Sequence, residues 1–226
     1  LELLIIVKKK NIKFLSSPFC LDSFNLLMKF NLDFIKIPSG EITNLPLLRH
    51  ISKFGKNIIL STGMSEEAEI KNALKILRKK KRKIILLHCN TEYPTPFKDV
   101  NLNAMHYLKK KFKIDVGYSD HSLGLEVPIA AASLGATIIE KHFTISKKMS
   151  GPDHASSLSP KELLLMVRAI RNVEKILGNS KKVVTKSEKK NISIARKSIF
   201  ASKKIKKGEI FSSSNLKVWY GFSFGI

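Results

Sequence analysis

Cysteine is scarce in this chain, with two residues, Cys20 and Cys89, among 226. Two thiols without paired spacing provide neither a disulfide framework nor a thiolate metal site. Both fall at or near apolar runs and read as reduced, semi-buried thiols, which favours a cytoplasmic location. Acidic residues are also few, 18 against 41 lysines and arginines, for a formal charge of +23. Such a balance raises nucleic acid or an anionic surface as a partner. The excess, however, lies in scattered short runs such as Lys8-Lys9-Lys10, Lys79-Lys80-Lys81 and Lys109-Lys110-Lys111. Each follows an amphipathic segment, where cations suit a helix C-terminus. Aromatic residues do not interleave with them as a single-strand platform requires. The charge is therefore assigned to a solvated surface, and no nucleic acid partner is expected. Long apolar runs are missing too: none approaches the roughly 20 residues that span a bilayer, so no membrane partner is expected. The start, LELLIIVKKK, is apolar first and basic afterwards, the reverse of a secretory signal, and carries no initiating Met.

What is present is 43% hydrophobic residues and one recurring pattern. A short apolar, β-branched run ends in small or polar residues, and a helical stretch follows. The runs are IKFLSS from Ile12, FIKIPS from Phe34, NIILST from Asn57, IILLHCN from Ile84, IDVGYS from Ile114 and TIIEKHFT from Thr137. Between them lie helical spacings such as Glu67 to Leu77. Near-continuous apolar strands alternating with helices indicate an α/β fold with a parallel sheet covered on both faces. An open doubly wound sheet gathers its ligand groups at a switch point. A (β/α)₈ TIM barrel brings every strand end to one site. Here nearly every run ends in a candidate group (Ser17, Ser39, Thr62, His88, Ser119, His142), which favours the barrel, although only about six strands are counted against its eight. After the last run a helix is expected over Lys161 to Leu177, stopped by Gly178-Asn179. The expected organisation is a partial barrel over 1–180, a polar linker over 181–191, and the start of a small β-rich module over 192–226.

Several stretches could carry chemistry. In KIPSGE, Lys36 is costly to bury in a strand unless it meets an anion. Ser39 adds a hydroxyl, Gly40 an open N–H group and Glu41 a carboxylate. The stretch reads either as a phosphate or carboxylate seat or as a snorkelling lysine before a capped helix. In HCNTEYPTP, two prolines fix an extended loop bearing the hydroxyls of Thr91 and Tyr93. His121 in GYSDHS and His142 in EKHFT end consecutive strands, where two neutral imidazoles could converge on Mn²⁺, Fe²⁺ or Zn²⁺ with water in the open positions. Either histidine alone would more often be structural. In GPDH, Asp153 is a sugar-hydroxyl acceptor or an Asx turn, and His154 is left unassigned.

Taken together, FLSSPF, KIPSGEITNLPLL, ILSTGM, HCNTEYPTPF, GYSDHSLG, EKHFT and GPDH resemble the sialic acid synthases, the N-acetylneuraminate synthase family that includes the bacterial legionaminate synthases. The resemblance runs from the first residues to about Val218. It implies a TIM barrel followed by an antifreeze-like (SAF) domain, and a transferase that condenses phosphoenolpyruvate with an N-acetylated amino sugar such as N-acetylmannosamine, releasing phosphate. It further implies a phosphoenolpyruvate cradle of Ser17, Lys36, Ser39, Thr91 and Ser119. By the same resemblance Glu41 is the carboxylate between the two substrates, and Tyr93 and Asp153 contact the amino sugar. His121 and His142 become the ligands of a divalent metal, usually Mn²⁺, with Mg²⁺ or Co²⁺ as alternatives. A domain-swapped homodimer is implied as well. KIPSGE with HCNTEYPTP favours the neuraminate or legionaminate branch over pseudaminate.

Two departures stand out. Nothing corresponds to two further strands that precede Ile12 in the family, so the barrel is expected to lack about its first two strands. Where the family continues into a KRPGNG-like stretch, this chain reads KVWYGFSFGI, so the antifreeze-like domain is expected to be incomplete. The alternative to an active synthase is an inactive or carbohydrate-binding fragment of one.

Overall fold

The computed structural model describes residues 2–220. The chain divides into two compact units, one ending at Gly178 and the other beginning at Asn179.

The first unit opens with helix α1 (Glu2–Lys9), whose basic residues fall at its C-terminal end. Helix α2 (Leu21–Met28) is capped by Cys20, whose sulfur accepts from the Ser23 N–H. Five βα repeats follow: β1 (Phe34–Ile37), α3 (Leu45–Ser52), β2 (Asn57–Ser61), α4 (Glu67–Leu77), β3 (Ile84–His88), α5 (Asn103–Phe112), β4 (Asp115–Asp120), α6 (Glu126–Ser133), β5 (Ile139–Lys141) and α7 (Pro160–Leu177). The strands are all parallel and lie in chain order, β1-β2-β3-β4-β5. A doubly wound sheet reverses its order at a switch point. This curled sheet never does, and it forms a half-barrel.

Strand alternation gives the sheet two different faces. Ile35, Ile37, Ile58, Leu60, Leu86, Val116 and Tyr118 join the large core shared with the helices. Phe34, Ile59, Ile85, Leu87 and Ile138 form a smaller cluster on the concave face. The concave register therefore runs through Lys36, Ser61, Cys89, Ser119 and Glu140, continuing the alternation set by those residues.

Helix α7 starts where SPKE supplies both halves of a capping box, Ser159 and Glu162, with Pro160 at the first position. Helix α4 spans the residues that its apolar spacing predicts.

Three expectations need correction. The run from Ile12 to Ser17 is extended but belongs to no sheet. Its anchors are side chains, Phe14 packed on the core and Lys13 paired with Asp33 at 2.8 Å, while Ile12 and Leu15 stay exposed. Without a backbone ladder in register, an apolar run is not a strand. The run from Thr137 to Thr144 pairs over Ile139–Lys141 alone, and its far end is held by a bridge between Phe143 and Leu158. The stretch expected as a linker over 181–191 carries much of helix α8 (Lys186–Ala195). Its polar composition hides a start signal, a capping box of Thr185 and Glu188.

The second unit holds α8 and an antiparallel pair, β6 (Lys197–Ala201) with β7 (Leu216–Tyr220). The last residues of the expected β module, 221–226, lie outside the described residues.

Candidate active site

The concave face carries a connected set of polar groups at the C-terminal ends of its strands. It begins with Lys36, which is 8% exposed. A lysine this deep needs an anion, and it has one in Glu140 Oε1 at 3.3 Å. The Ser119 hydroxyl donates to the same oxygen at 2.7 Å. Glu140 thus joins β1, β4 and β5. Reading the sequence for motifs missed it, although EKHFT contains it.

His121 follows directly. Its Nδ1 lies 2.5 Å from the Asn90 carbonyl, which can only accept, so Nδ1 carries the proton. Burial pushes the imidazole pKa below its ordinary value, with the neighbouring His142 acting in the same direction and the Asn90 bond opposing them. The ring is therefore neutral at neutral pH, and Nε2 keeps its lone pair on the site side. Nε2 accepts from the Tyr93 hydroxyl at 3.0 Å and has Ser119 Oγ at 3.5 Å. The phenol of Tyr93 is held above its ordinary pKa, first by burial and then by the Cys89, Asp153 and Glu140 charges, so it remains a donor. The Tyr93 ring stacks on His121 at 4.1 Å and meets His142 edge-on at 5.3 Å. The two imidazole centroids are 5.5 Å apart. His142 Nδ1 stands 3.8 Å from Asp153 Oδ2, which brings the GPDH loop to the same place.

A second group borders on Gly63. Its N–H donates to Ser39 Oγ at 3.0 Å, and Ser39 Oγ lies 3.2 Å from Cys89 Sγ. A Cβ at Gly63 would stand 2.7 Å from Thr91 Cγ2, 2.9 Å from Ser39 Oγ and 3.0 Å from Cys89 Sγ. Only glycine leaves this cradle open. Ser61, two residues beyond the concave Ile59 and so on the same face, has a buried hydroxyl with no hydrogen-bond partner among the described residues. An orphaned buried hydroxyl facing a site is a natural ligand contact, and ILSTGM was the signal that could have found it.

Lys36, Ser119, Tyr93, His121, His142 and Asp153 are thus linked through contacts, and Ser39 and Thr91 come together around Gly63. Ser17 is half-buried on the extended segment before α2 and has no hydrogen bond to these groups among the described residues. Glu41 lies in the 3₁₀ turn after β1, where Asn44 Nδ2 donates to its Oε2 at 2.6 Å. Thr62 and His88 are committed elsewhere, to the carbonyls of Leu87 and Val100 at 3.0 and 3.1 Å. His88 falls on the helix-facing side by alternation, where it packs against Tyr118. His154 Nδ1 is 2.7 Å from Thr144 Oγ1, at the base of the GPDH loop.

As a cation site, the arrangement fits a group with few protein donors. Two imidazoles face each other, and no group of three or more His, Cys, Asp or Glu suited to a metal occurs among the described residues. Water or substrate oxygens would complete the coordination.

The sequence pattern of the NeuB family matches residues 1–182. A Campylobacter jejuni protein named N,N'-diacetyllegionaminic acid synthase is 56% identical over 218 residues, covering 95% of this chain and 65% of the relative. A Campylobacter jejuni pseudaminic acid synthase is 41% identical over 203 residues, covering 89% of this chain and 59% of that protein. The crystal structure of an N-acetylneuraminic acid (sialic acid) synthetase from Leptospira borgpetersenii superposes with a TM-score of 0.78 at 40% identity, covering 84% of this chain and 68% of that one. This chain therefore spans less than two thirds of the length of the two Campylobacter jejuni relatives.

Proposed function

Because the chain belongs to the NeuB family, we propose that its half-barrel is the catalytic part of a nonulosonic acid synthase that joins phosphoenolpyruvate to an N-acetylated amino sugar. The observation that carries this reading is Lys36, a buried ammonium that shares Glu140 Oε1 with the Ser119 hydroxyl, on the concave face that by alternation also carries Ser61. Such a seat suits an anion with several acceptor oxygens.

In the proposed assignment, Lys36, Ser39, Thr91, Ser119 and Ser17 hold phosphoenolpyruvate, and Ser61 joins them. Tyr93 and Asp153 hold the sugar, and Glu41 lies between the two substrates. His121 and His142 would hold a divalent cation, Mn²⁺ with Mg²⁺ or Co²⁺ as alternatives, which supplies Lewis-acid polarisation of the sugar aldehyde. Enol C3 of phosphoenolpyruvate forms the new bond to the aldehyde carbon, and the aldehyde oxygen takes up a proton. Water adds at C2, the C2–O bond to phosphate breaks, and inorganic phosphate leaves. Lys36 and its hydroxyl neighbours neutralise charge on the phosphate throughout. Glu140 now occupies Lys36 and Ser119, so an entering anion exchanges with it for these donors.

In this reading the sugar is of the neuraminate or legionaminate type, as the name of the 56% identical Campylobacter jejuni relative suggests. The test is phosphate release from phosphoenolpyruvate with Mn²⁺, with and without N-acetylmannosamine or its diacetamido analogue. Release that requires the sugar, with a stoichiometric nonulosonic acid product, is expected. An equal rate without sugar overturns the reading.

A further inference from the structure

Behind the two histidines, on the helix-facing side of the sheet, lies an ion pair with no part in the chemistry above. Asp120 and Lys141 are register partners at the ends of β4 and β5, and their side chains are 0% and 2% exposed. Lys141 Nζ donates to Asp120 Oδ2 and to the Ser122 carbonyl at 2.6 Å. Asp120 Oδ1 accepts from the Ser122 N–H at 2.9 Å and from its hydroxyl at 2.7 Å. The backbone of His121 is therefore clasped between Asp120 and Ser122. Lys141 immediately precedes His142. Each member of the pair is thus one residue from one of the two facing imidazoles, and alternation sends its side chain to the opposite side of the sheet.

Stability alone is a poor reason for such a pair. Desolvating two charges offsets most of their attraction, and an apolar pair of similar volume often does as well. The best-attested gain from a buried ion pair is registry. We propose that Asp120 and Lys141 are positioning residues that fix β4 against β5 at the residues before His121 and His142, and so set the spacing of the two imidazoles. The part of this inference that concerns metal rests on the function proposed above. The part that concerns imidazole geometry does not.

The experiment compares the full chain with its Asp120→Leu/Lys141→Met double variant, which removes both charges at similar volume and leaves neither unpaired. The first readout is the set of nuclear Overhauser contacts among the rings of Tyr93, His121 and His142 in metal-free protein. The second is the Kd for Mn²⁺ alone, from titration, with thermal unfolding as the check on folding. The ring contacts are expected to weaken several-fold while the fold persists, and the Mn²⁺ Kd to rise about 10-fold or more, the scale of outer-shell effects on metal affinity. Wild-type ring contacts, with a Kd within about twofold of wild type, would overturn the proposal. Should the double variant not fold, Asp120→Asn is read in the same way. Its amide oxygen still accepts from Ser122 but its charge is gone, and unchanged ring contacts there are equally fatal. If the wild-type chain binds no Mn²⁺, the metal reading falls, and the ring contacts alone still decide this inference.

Discussion

At Gly117, β4 runs close against the backbone of Ile138, immediately before β5, and Gly117→Ala is the sharpest test of that packing. A Cβ there would meet the Ile138 carbonyl oxygen first, with Leu87 Cδ2 at 2.7 Å and the Ile138 nitrogen at 3.0 Å. Leu87 can rotate away, but the other two atoms are backbone of the neighbouring strand. The Ile138 oxygen is also held, because it accepts the Tyr118 N–H at 2.9 Å. Relief requires β5 to move off β4. Overpacking of this kind costs about 1–3 kcal/mol, and the immobile backbone on one side puts this case in the upper half. A stretched ladder bond adds to it, a typical one being worth about 1 kcal/mol net. A combined loss of about 3–4 kcal/mol corresponds to a fall in Tm of roughly 6–16 °C for a chain of this size. Thermal and urea unfolding would measure it, with Gly55→Ala as the control, since nothing lies within 4 Å of a Cβ there. The control should stay within about 0.5 kcal/mol. A Gly117→Ala variant as stable as the control would refute the close approach. The displaced β5 also carries Glu140 and His142, so sugar-dependent phosphate release should fall at temperatures where the variant remains folded.

Three further outcomes are expected. At Gly63→Ala the added methyl fills the cradle beside Ser39, Thr91 and Cys89, so the KM for phosphoenolpyruvate should rise about tenfold, equivalent to about 1.4 kcal/mol. The KM for the sugar should change little, and equal effects on both would argue against an anion seat there. Glu162 is held at about 2, below its ordinary 4.5, first by the Lys147 ammonium and then by hydrogen bonds from Ser159. Its stabilisation is complete above 4.5 and fades as pH falls toward 2, so Glu162→Gln should flatten the slope of unfolding free energy in that window. Burial pushes the His88 pKa below its ordinary 6.5, against the opposing pull of the Val100 carbonyl. The unfolded chain then takes up the proton first, so stability should decline as pH drops below 6.5, and His88→Gln should remove part of that decline. A slope unchanged by His88→Gln would place the acid sensitivity elsewhere.

The legible part of this protein is the part that local periodicity encodes. The apolar runs from Phe34, Asn57, Ile84 and Ile114 are strands because each is buried on both faces, and such strands need no alternation to announce themselves. The run from Ile12 has the same composition and is not in the sheet, because pairing depends on a neighbour that no local window contains. Helix α8 fails in the opposite direction. Its cap is written in Thr185 and Glu188, but with no buried face the charged composition around it reads as linker.

The same distinction separates the site residues that were readable from those that were not. His121 and His142 stand out because histidine is rare here and both end strands. Glu140 and Lys141 are adjacent, equally charged in magnitude, and sit in one three-residue strand. Alternation sends one to Lys36 and Ser119 in the candidate site and the other to Asp120 behind it. A shift of one residue in register would exchange them, placing an ammonium beside Lys36 and a carboxylate beside Asp120. Both contacts would then be repulsive, with no counter-charge to replace the partners lost. The charge order Asp120, Glu140, Lys141 therefore carries information about β5 that its three-residue length cannot. The register of the shortest strand is specified on both faces by charge, and the two facing histidines depend on that register.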